Sequence, residues 1–166
     1  MISFKNSKSI ALAGIIAAIY VCVTLLLYPL SYGGVQIRVS EGLTLLPLLF
    51  PESVIGLTVG CLISNFFGNG ILDLVLGTLA TFLSAVLTYY IGKRVKTDFY
   101  KISIGGIFPI VLNALIVPVA ILGLTLQPAV YFLTAIQIFI GQFLSVYLVG
   151  SPIYFVCKKI SNKKRS

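Results

Sequence analysis

The sequence contains no histidine and only four acidic residues among its 166 residues. Histidine is the commonest general base and metal ligand in proteins, so its absence argues against an enzyme. The three cysteines, Cys22, Cys61 and Cys157, lie far apart in apolar stretches without CxxC spacing, and we interpret them as small hydrophobic residues. The GxxxxGK(S/T) motif of phosphate-binding loops is also missing, so the chain lacks the nucleotide site that a primary pump requires.

Charged residues are scarce as well, at 10% of the chain against roughly 25% in soluble domains. Hydrophobic residues make up 58% and the mean hydropathy is +1.08, more apolar surface than a soluble fold could bury. A bilayer core roughly 30 Å thick needs about 20 apolar residues per helix, so about five or six crossings fit in a single membrane domain, residues 1–166. Lys5 and Lys8 precede an apolar run as in a signal peptide, but no small-residue cleavage site leads into a soluble mature domain, and we expect this segment to be a membrane helix.

The chain has a net charge of +8, and almost all of its twelve basic residues lie in three clusters, near the N-terminus, near residue 95 and at the C-terminus. Cytoplasmic loops are enriched in Lys and Arg, so these clusters indicate topology rather than nucleic-acid binding. The region 35–67 is broken at Pro47 and Pro51 and could hold one kinked span or two short ones. If the first two clusters both face the cytoplasm, an even number of crossings must separate them. This favours two short spans in the region 35–67. The sequence predicts an all-α bundle of six transmembrane helices with both termini cytoplasmic, spanning residues 9–28, 35–50, 52–67, 71–92, 104–124 and 129–157.

The four acidic residues fall into two predicted environments. Glu52 and Asp98 lie in predicted cytoplasmic turns, and we interpret both as solvated loop charges. Glu41 and Asp73 are predicted toward the outer side of the membrane, where an ionisable group costs roughly 2.5 to 3.5 kcal/mol and needs a partner or a function. Arg38 lies three residues before Glu41, so on a helix the two could pair, and a salt bridge explains them as well as a ligand does. Asp73 could equally be an acid at a helix N-terminus that faces the dipole.

Amide side chains and aromatic rings accompany these charges. Each amide could simply join two helices by a hydrogen bond. Together with the carboxylates, however, they suit a planar heterocycle with several donors and acceptors, and they do not suit a cation channel, which would need rings of acids. The candidate ligand-binding residues are Tyr32, Gln36, Arg38, Glu41, Asn65, Asp73, Asn113, Gln137 and Gln142.

Several segments of the chain form recognisable sequence motifs. They are Tyr-Gly-Gly-Val-Gln-Ile-Arg-Val-Ser-Glu at 32–41, Leu-Leu-Pro-Leu-Leu-Phe-Pro-Glu at 45–52, and the stretches 60–65, 72–81, 113–117 and 148–152. This pattern resembles the queuosine-precursor transporter family, called QueT, from about residue 11 to residue 159. The resemblance implies a six-helix substrate-binding S component of an energy-coupling factor (ECF) transporter, which captures a 7-deazaguanine precursor of queuosine outside the cell.

The resemblance also implies partners for the chain. An S component docks on a membrane coupling subunit and two cytoplasmic ATPase subunits through small residues of its first helix, and Ala13 and Ala17 match that pattern here. Packing within the bundle explains these two alanines equally well. The family usually has Gly-Glu in the sixth helix where this chain has Gly141 and Gln142, so neutral contacts replace a carboxylate and the exact precursor stays open.

The predicted function is therefore capture of queuine, preQ1 or preQ0 for an ECF importer of the cell membrane, without a cofactor or enzymatic activity. We expect Glu41 and Asp73 to accept hydrogen bonds from the ligand, and Arg38 to orient Glu41 or donate to a ligand carbonyl. Asn113 and Gln137 would contact the remaining edge of the ring. The alternatives are a stand-alone secondary carrier in which Asp73 carries protons, an S component for another vitamin, a small intramembrane enzyme and a structural subunit.

Overall fold

The computed structural model describes residues 7–33, 37–68, 70–123 and 127–163, and every regular element in these ranges is helical. The predicted loop at Leu124 to Gln127 lies mostly outside the described residues. Four helices are long and apolar enough to cross a membrane, which makes the chain a multi-pass membrane protein. They are Ser7–Leu26, Asp73–Arg94, Asp98–Leu122 and Pro128–Asn162.

The helices are numbered here in chain order. The α-helices are α1 (Ser7–Leu26), α2 (Tyr28–Tyr32), α3 (Ser53–Phe66), α4 (Thr78–Arg94), α5 (Asp98–Leu122), α6 (Pro128–Phe143) and α7 (Ser151–Lys163). Three segments wind differently: the central segment Val39–Leu48 is a 3₁₀-helix, the first π segment Asp73–Gly77 leads into α4, and the second π segment Leu144–Gly150 joins α6 to α7. Gly123 takes a φ of 58° and ends α5, a backbone conformation that glycine adopts without steric cost.

The central segment lies inside the bundle. Its residues from Ser40 to Leu48 are buried, and α1, α4, α5 and the second π segment pack around it. Ten residues of 3₁₀-helix reach roughly 20 Å, and the 14 residues of α3 reach roughly 21 Å. The region 35–67 thus holds two short helices, each shorter than the roughly 30 Å bilayer core, and the central segment is covered by protein rather than lipid.

Glycines allow the neighbouring helices to close on the central segment. A β-carbon at Gly92 of α4 would lie 2.7 Å from the carbonyl oxygen of Leu48. A β-carbon at Gly42 would lie 2.9 Å from the Ser145 carbonyl oxygen, and one at Gly150 would lie 2.6 Å from the Gly42 carbonyl oxygen. Any larger residue at these positions would force the backbones apart, so the packing of the core depends on them.

Small residues also bring α1 against α3. A β-carbon at Gly56 would lie 2.6 Å from the Ala13 carbonyl oxygen, and one at Gly60 would lie 3.0 Å from the Ala17 carbonyl oxygen. Both alanines are therefore buried within the chain, at 7% and 8% exposure. The structure places these two predicted partner-interface residues in the α1–α3 contact, as the packing interpretation requires. Gly14 lies on the exposed face of α1, and a β-carbon there would meet nothing within 4 Å.

Two of the acidic residues lie at the basic end of the bundle, defined by the start of α1, the end of α4 and the start of α5. The Ser9 hydroxyl donates to Glu52 over 2.9 Å. Asp98 forms an ion pair with Lys158 and accepts a hydrogen bond from the Tyr154 hydroxyl over 2.9 Å. Both acids are partly exposed at helix starts, and in addition each carboxylate joins two separate helices.

Candidate ligand-binding site

A buried ion pair lies at the opposite end of the bundle. Arg38 and Asp73 are 3% and 0% exposed, and Nη2 of the arginine lies 3.1 Å from Oδ2 of the aspartate. The guanidinium also lies 4.6 Å from the centre of the Tyr32 ring. The pair joins the start of the central segment to the first π segment, and Asp73 has Arg38 as its partner rather than only a helix dipole.

Of the two interpretations left open for Arg38 and Glu41, the salt bridge between them is not among the ion pairs of the described residues. Arg38 precedes the central segment in an extended conformation, with φ −88° and ψ 96°, so the helical spacing behind that prediction does not apply to it. Glu41 instead accepts a hydrogen bond on Oε1 from the buried hydroxyl of Tyr20 in α1. A second bond between the same two elements joins the hydroxyls of Thr24 and Ser40 over 2.7 Å.

Asn65 and Tyr32 complete the polar network around Asp73. The Asn65 amide donates to the Asp73 carbonyl oxygen over 3.1 Å, and the Tyr32 hydroxyl donates to the Ser64 carbonyl oxygen over 2.7 Å. Burial is the main cause that raises the pKa of Tyr32 to about 12, so its hydroxyl stays a protonated donor at neutral pH. The end of α3 is thereby tied to both α2 and the first π segment.

Two more polar residues of the site lie near the junction of α6 and the second π segment. Ser145 belongs to the π segment, and Gln142 lies one turn earlier at the end of α6. Both are buried, at 1% and 3% exposure. The contact of Gly42 with the Ser145 carbonyl oxygen places this stretch beside Glu41 in the central segment. Apart from Tyr20 in the interior of α1, the site residues named so far lie near helix ends or in non-α segments. Turns of π-helix occur frequently at functional sites.

Several buried oxygens of this region have no hydrogen-bond partner among the described residues. Leaving such an atom unsatisfied costs about 1 to 3 kcal/mol, so each needs an explanation, and a ligand with donors supplies one. The oxygens are Glu41 Oε2, Ser64 Oγ, Asp73 Oδ1, Thr78 Oγ1, Gln142 Oε1 and Ser145 Oγ.

Three of the predicted site residues are placed differently. Asn113 is buried in α5, but its amide donates to the Pro109 carbonyl oxygen of the same helix, 2.9 Å away. Gln137 is exposed on α6, so the structure does not gather it with the buried acceptors. Gln36 lies outside the described residues.

Sequence reasoning missed Tyr20, Ser145 and Gly77. A β-carbon at Gly77 would lie 2.7 Å from Asn65 Nδ2 and 2.8 Å from Asp73 Oδ1, so this glycine keeps space beside the unsatisfied carboxylate oxygen. Tyr20 carries only a weak sequence signature, a hydroxyl one turn before Thr24 in an apolar helix. Ser145 and Gly77 are ordinary small residues of membrane helices and become recognisable only from their contacts.

The described residues define a multi-pass helical membrane protein that carries a buried polar site toward one end. Its sequence matches the profile of the QueT transporter family over residues 10–159, and the chain belongs to that family.

A relative from Lactococcus lactis subsp. cremoris (strain MG1363) is named queuosine precursor transporter QueT. It is 36% identical to this chain over 100 residues, which cover 58% of this chain and 59% of the relative. The match therefore spans less than two thirds of the relative's length. No solved structure matches the chain significantly.

Proposed function

We propose that this chain captures a 7-deazaguanine precursor of queuosine outside the cell, as the S component of an ECF importer in the plasma membrane. The observation that carries the proposal is the group of buried, unsatisfied acceptors, foremost Glu41 Oε2, Asp73 Oδ1 and Gln142 Oε1. Membership in the QueT family and the name of the Lactococcus lactis relative support the choice of ligand.

The chemistry of the ring suits these acceptors. A 7-deazaguanine presents N–H donors on both of its rings and on its exocyclic amino group, and its aromatic face can stack on another ring. Glu41, Asp73 and Gln142 accept from these donors, and Tyr32 with the adjacent Arg38 guanidinium offers a flat wall. A molecule of similar size without the donors would leave buried acceptors unsatisfied, so the site selects by hydrogen bonding.

The proposed topology follows from charge. The basic end of the bundle carries the Lys and Arg clusters of the described chain, so it faces the cytoplasm with both termini, and the ligand site opens toward the outside. Six passes satisfy this arrangement: the four long helices, the central segment and α3. The two short passes are tolerated because neighbouring helices bury their polar groups.

The exposed face of α1 supports the proposed partners. Gly14 and Ala18 lie one turn apart on that face and allow another helix to approach closely. Because α3 occupies Ala13 and Ala17, we assign docking of the membrane coupling subunit to Gly14 and Ala18. The two ATPase subunits supply the nucleotide site that this chain lacks.

Titration of the purified chain in lipid nanodiscs with 7-deazaguanines, followed by uptake assays, tests the proposal. We expect binding by the isolated chain, weakened by Asp73→Asn and unchanged by Glu52→Gln, a similar loss of charge at the basic end. Uptake should require the ATPase subunits. Failure of the isolated chain to bind any 7-deazaguanine would refute the ligand assignment.

One observation favours a secondary carrier as the second candidate. Glu41 is a buried acid with an unpartnered oxygen in a membrane protein, and such groups carry protons in carriers. The carrier hypothesis predicts that liposomes containing this chain alone take up the ligand. It also predicts that this uptake stops when the proton gradient is dissipated. Uptake of this kind would exclude the ECF assignment, whereas its absence, together with ATPase-dependent uptake in cells, would exclude the carrier.

A further inference from the structure

We infer that the chain binds one anionic phospholipid in a groove on its lipid-facing surface, with an acyl chain between α5 and α6 and the headgroup at Lys158 and Lys159 of α7. The groove shares no residue with the buried polar site, and the inference goes beyond the proposed function. It is carried by the depth of the groove, by the order of chemical groups along it and by the charge at its mouth.

The groove follows α5 from the basic end to the middle of that helix. It consists of two adjoining cavities of about 290 and 230 Å³ that share Tyr147, and its α5 wall extends from Phe99 to Val111. At 1.5 Å per residue this wall is roughly 18 Å long. The hydrocarbon core of a bilayer is roughly 30 Å thick, so one leaflet is roughly 15 Å deep. The groove therefore matches an acyl chain of a single leaflet.

Tyr147 forms the floor of the groove where the two cavities meet. Its hydroxyl donates to the Ser103 carbonyl oxygen over 2.7 Å, and the centre of its ring lies 5.0 Å from that of Phe143. A β-carbon at Gly106 would lie 2.8 Å from the ring, so this glycine lets the ring lie directly on the backbone of α5. Contacts within the chain thus shape the groove, which does not need a ligand to form.

The chemical groups along the groove follow the order of the parts of a phospholipid. Lysines lie at the basic end, the hydroxyl-bearing Ser103 and Ser151 come next, and apolar residues such as Ile107 and Phe139 line the far end. In a phospholipid the charged phosphate is followed by ester groups and then by hydrocarbon chains. Serine hydroxyls can donate hydrogen bonds to ester carbonyl oxygens. The groove therefore matches a whole lipid molecule and not only its hydrocarbon part.

The mouth of the groove carries an excess of positive charge. Lys158 and Lys159 continue the groove-lining face of α7, three and four residues after Phe155. Lys158 pairs with Asp98 at the start of α5, and Lys101 is a neighbour of the same carboxylate one turn further along that helix. Lys159 forms no ion pair with any described residue. Three lysines and one carboxylate thus leave two positive charges uncompensated.

This charge selects the headgroup. The phosphate of a zwitterionic lipid is already compensated by the lipid's own cation, whereas the phosphate of an anionic lipid is free to compensate a lysine. Lysines close to a membrane surface accordingly attract anionic lipids. In the proposed topology the basic end faces the cytoplasmic leaflet, which is the leaflet with the negative surface potential.

Another membrane helix suits the groove less well. A helix that crosses the bilayer needs a contact face along the whole hydrocarbon core, but the groove ends at Val111, near the middle of Asp98–Leu122. Close helix contacts also use small residues, whereas exposed rings border this groove, among them Phe99, Phe143 and Phe155. A helix would also bring no anion to the lysines by its backbone alone.

Retention of lipid by the full chain tests the inference. The detergent-purified chain is titrated with phosphatidylglycerol or phosphatidylcholine that carry identical acyl chains, and bound lipid is counted by native mass spectrometry. Each uncompensated lysine at a membrane surface gives about a fivefold gain in affinity for an anionic lipid. We therefore expect one retained phosphatidylglycerol per chain, bound about ten- to thirtyfold more tightly than phosphatidylcholine.

Two pairs of substitutions test the role of charge. Lys158→Gln with Lys159→Gln leaves Lys101 and Asp98 to compensate each other, and it should reduce the preference to within about threefold. Lys8→Gln with Lys93→Gln also removes two exposed charges from the basic end, but on α1 and α4. That control pair should leave the preference intact. Monodisperse elution from a size-exclusion column checks that each variant is folded.

A second pair of variants tests the groove itself. Ile107→Trp fills the space between α5 and α6 and should displace both lipids, because an acyl chain no longer fits. Leu87→Trp adds a similar ring on the exposed face of α4, outside the groove, and should leave retention of phosphatidylglycerol unchanged.

The outcomes decide between the groove and its rivals. Equal retention of the two lipids by the unaltered chain would overturn the inference. A preference that survives loss of both α7 lysines, or retention that survives Ile107→Trp, would place the lipid elsewhere and overturn this site. A lipid-free dimer that Ile107→Trp dissociates would show that a second copy of the chain occupies the groove. Binding of 7-deazaguanines is measured separately, so each of these failures leaves the proposed function standing.

Discussion

The ion pair between Arg38 and Asp73 joins two segments that are remote in sequence, and it is nearly inaccessible to solvent at both partners. Such a pair contributes little net stability compared with apolar residues, but the removal of one partner leaves an uncompensated charge. Asp73 also keeps one oxygen unsatisfied, so the same residue orders the site and faces its ligand. Changes at these two positions should therefore separate structural effects from binding effects.

Removal of one partner of this pair should be costly. Asp73→Asn or Arg38→Met should lower the unfolding free energy by about 3 to 5 kcal/mol, because each leaves one buried charge unpaired. The double variant Arg38→Met with Asp73→Leu should recover much of that loss while abolishing ligand binding. Reversible unfolding in mixed micelles measures each value. Single changes that cost less than about 1 kcal/mol would contradict the buried pair.

The central segment and the two π segments form the scaffold of the site. The sequence indicates two short helices between residues 35 and 67, because prolines interrupt an apolar run and the basic clusters demand an even number of crossings. The sequence does not indicate that the first of these helices is a 3₁₀-helix buried inside the bundle. An apolar pattern looks the same whether the helix faces lipid or is surrounded by other helices. The sequence also could not predict that Arg38 pairs with Asp73. This pairing depends on the extended conformation of Arg38 before the helix and on a contact between residues 35 positions apart.

A methyl group in the first π segment should damage the site. Gly77→Ala places a β-carbon within 3 Å of both Asn65 and Asp73, so we expect at least a tenfold loss of ligand affinity and a destabilisation of about 1 to 3 kcal/mol. Gly14→Ala is the matched control, since its β-carbon meets nothing within 4 Å and alanine favours the helix. Calorimetry and thermal unfolding report the two effects. Equal behaviour of the variants would argue against the described packing at Gly77.

At the scale of the whole molecule, polar groups are divided between two ends. The basic end holds the Lys and Arg clusters and the Asp98–Lys158 pair, and the opposite end holds the buried acceptors. Three of the six residues with unsatisfied acceptors, Glu41, Asp73 and Gln142, were recognisable from the sequence, because acids and amides are rare in a chain this apolar. Tyr20 and Ser145 were not, since a single hydroxyl in a membrane helix is common and gains meaning only from its partners.

The exposed face of α1 should serve assembly and not ligand capture. Gly14→Leu and Ala18→Leu should prevent copurification with the coupling and ATPase subunits while leaving ligand affinity within about twofold, because neither residue is near the site. Ala17→Leu, directed into the α1–α3 contact, should instead destabilise the chain by about 1 to 3 kcal/mol. If the complex assembles normally with both outer-face substitutions, docking uses a different surface.

Mass spectrometry of small molecules released from the purified chain tests the central claim most directly. The protein is produced in cells that make or take up queuosine precursors, extracted in mild detergent, washed and denatured. We predict that the unaltered chain and Glu52→Gln release a 7-deazaguanine in near-stoichiometric amount, whereas Gly77→Ala releases little or none. Release of no 7-deazaguanine from the unaltered chain, or equal release from Gly77→Ala, would contradict a ligand site built around Glu41 and Asp73.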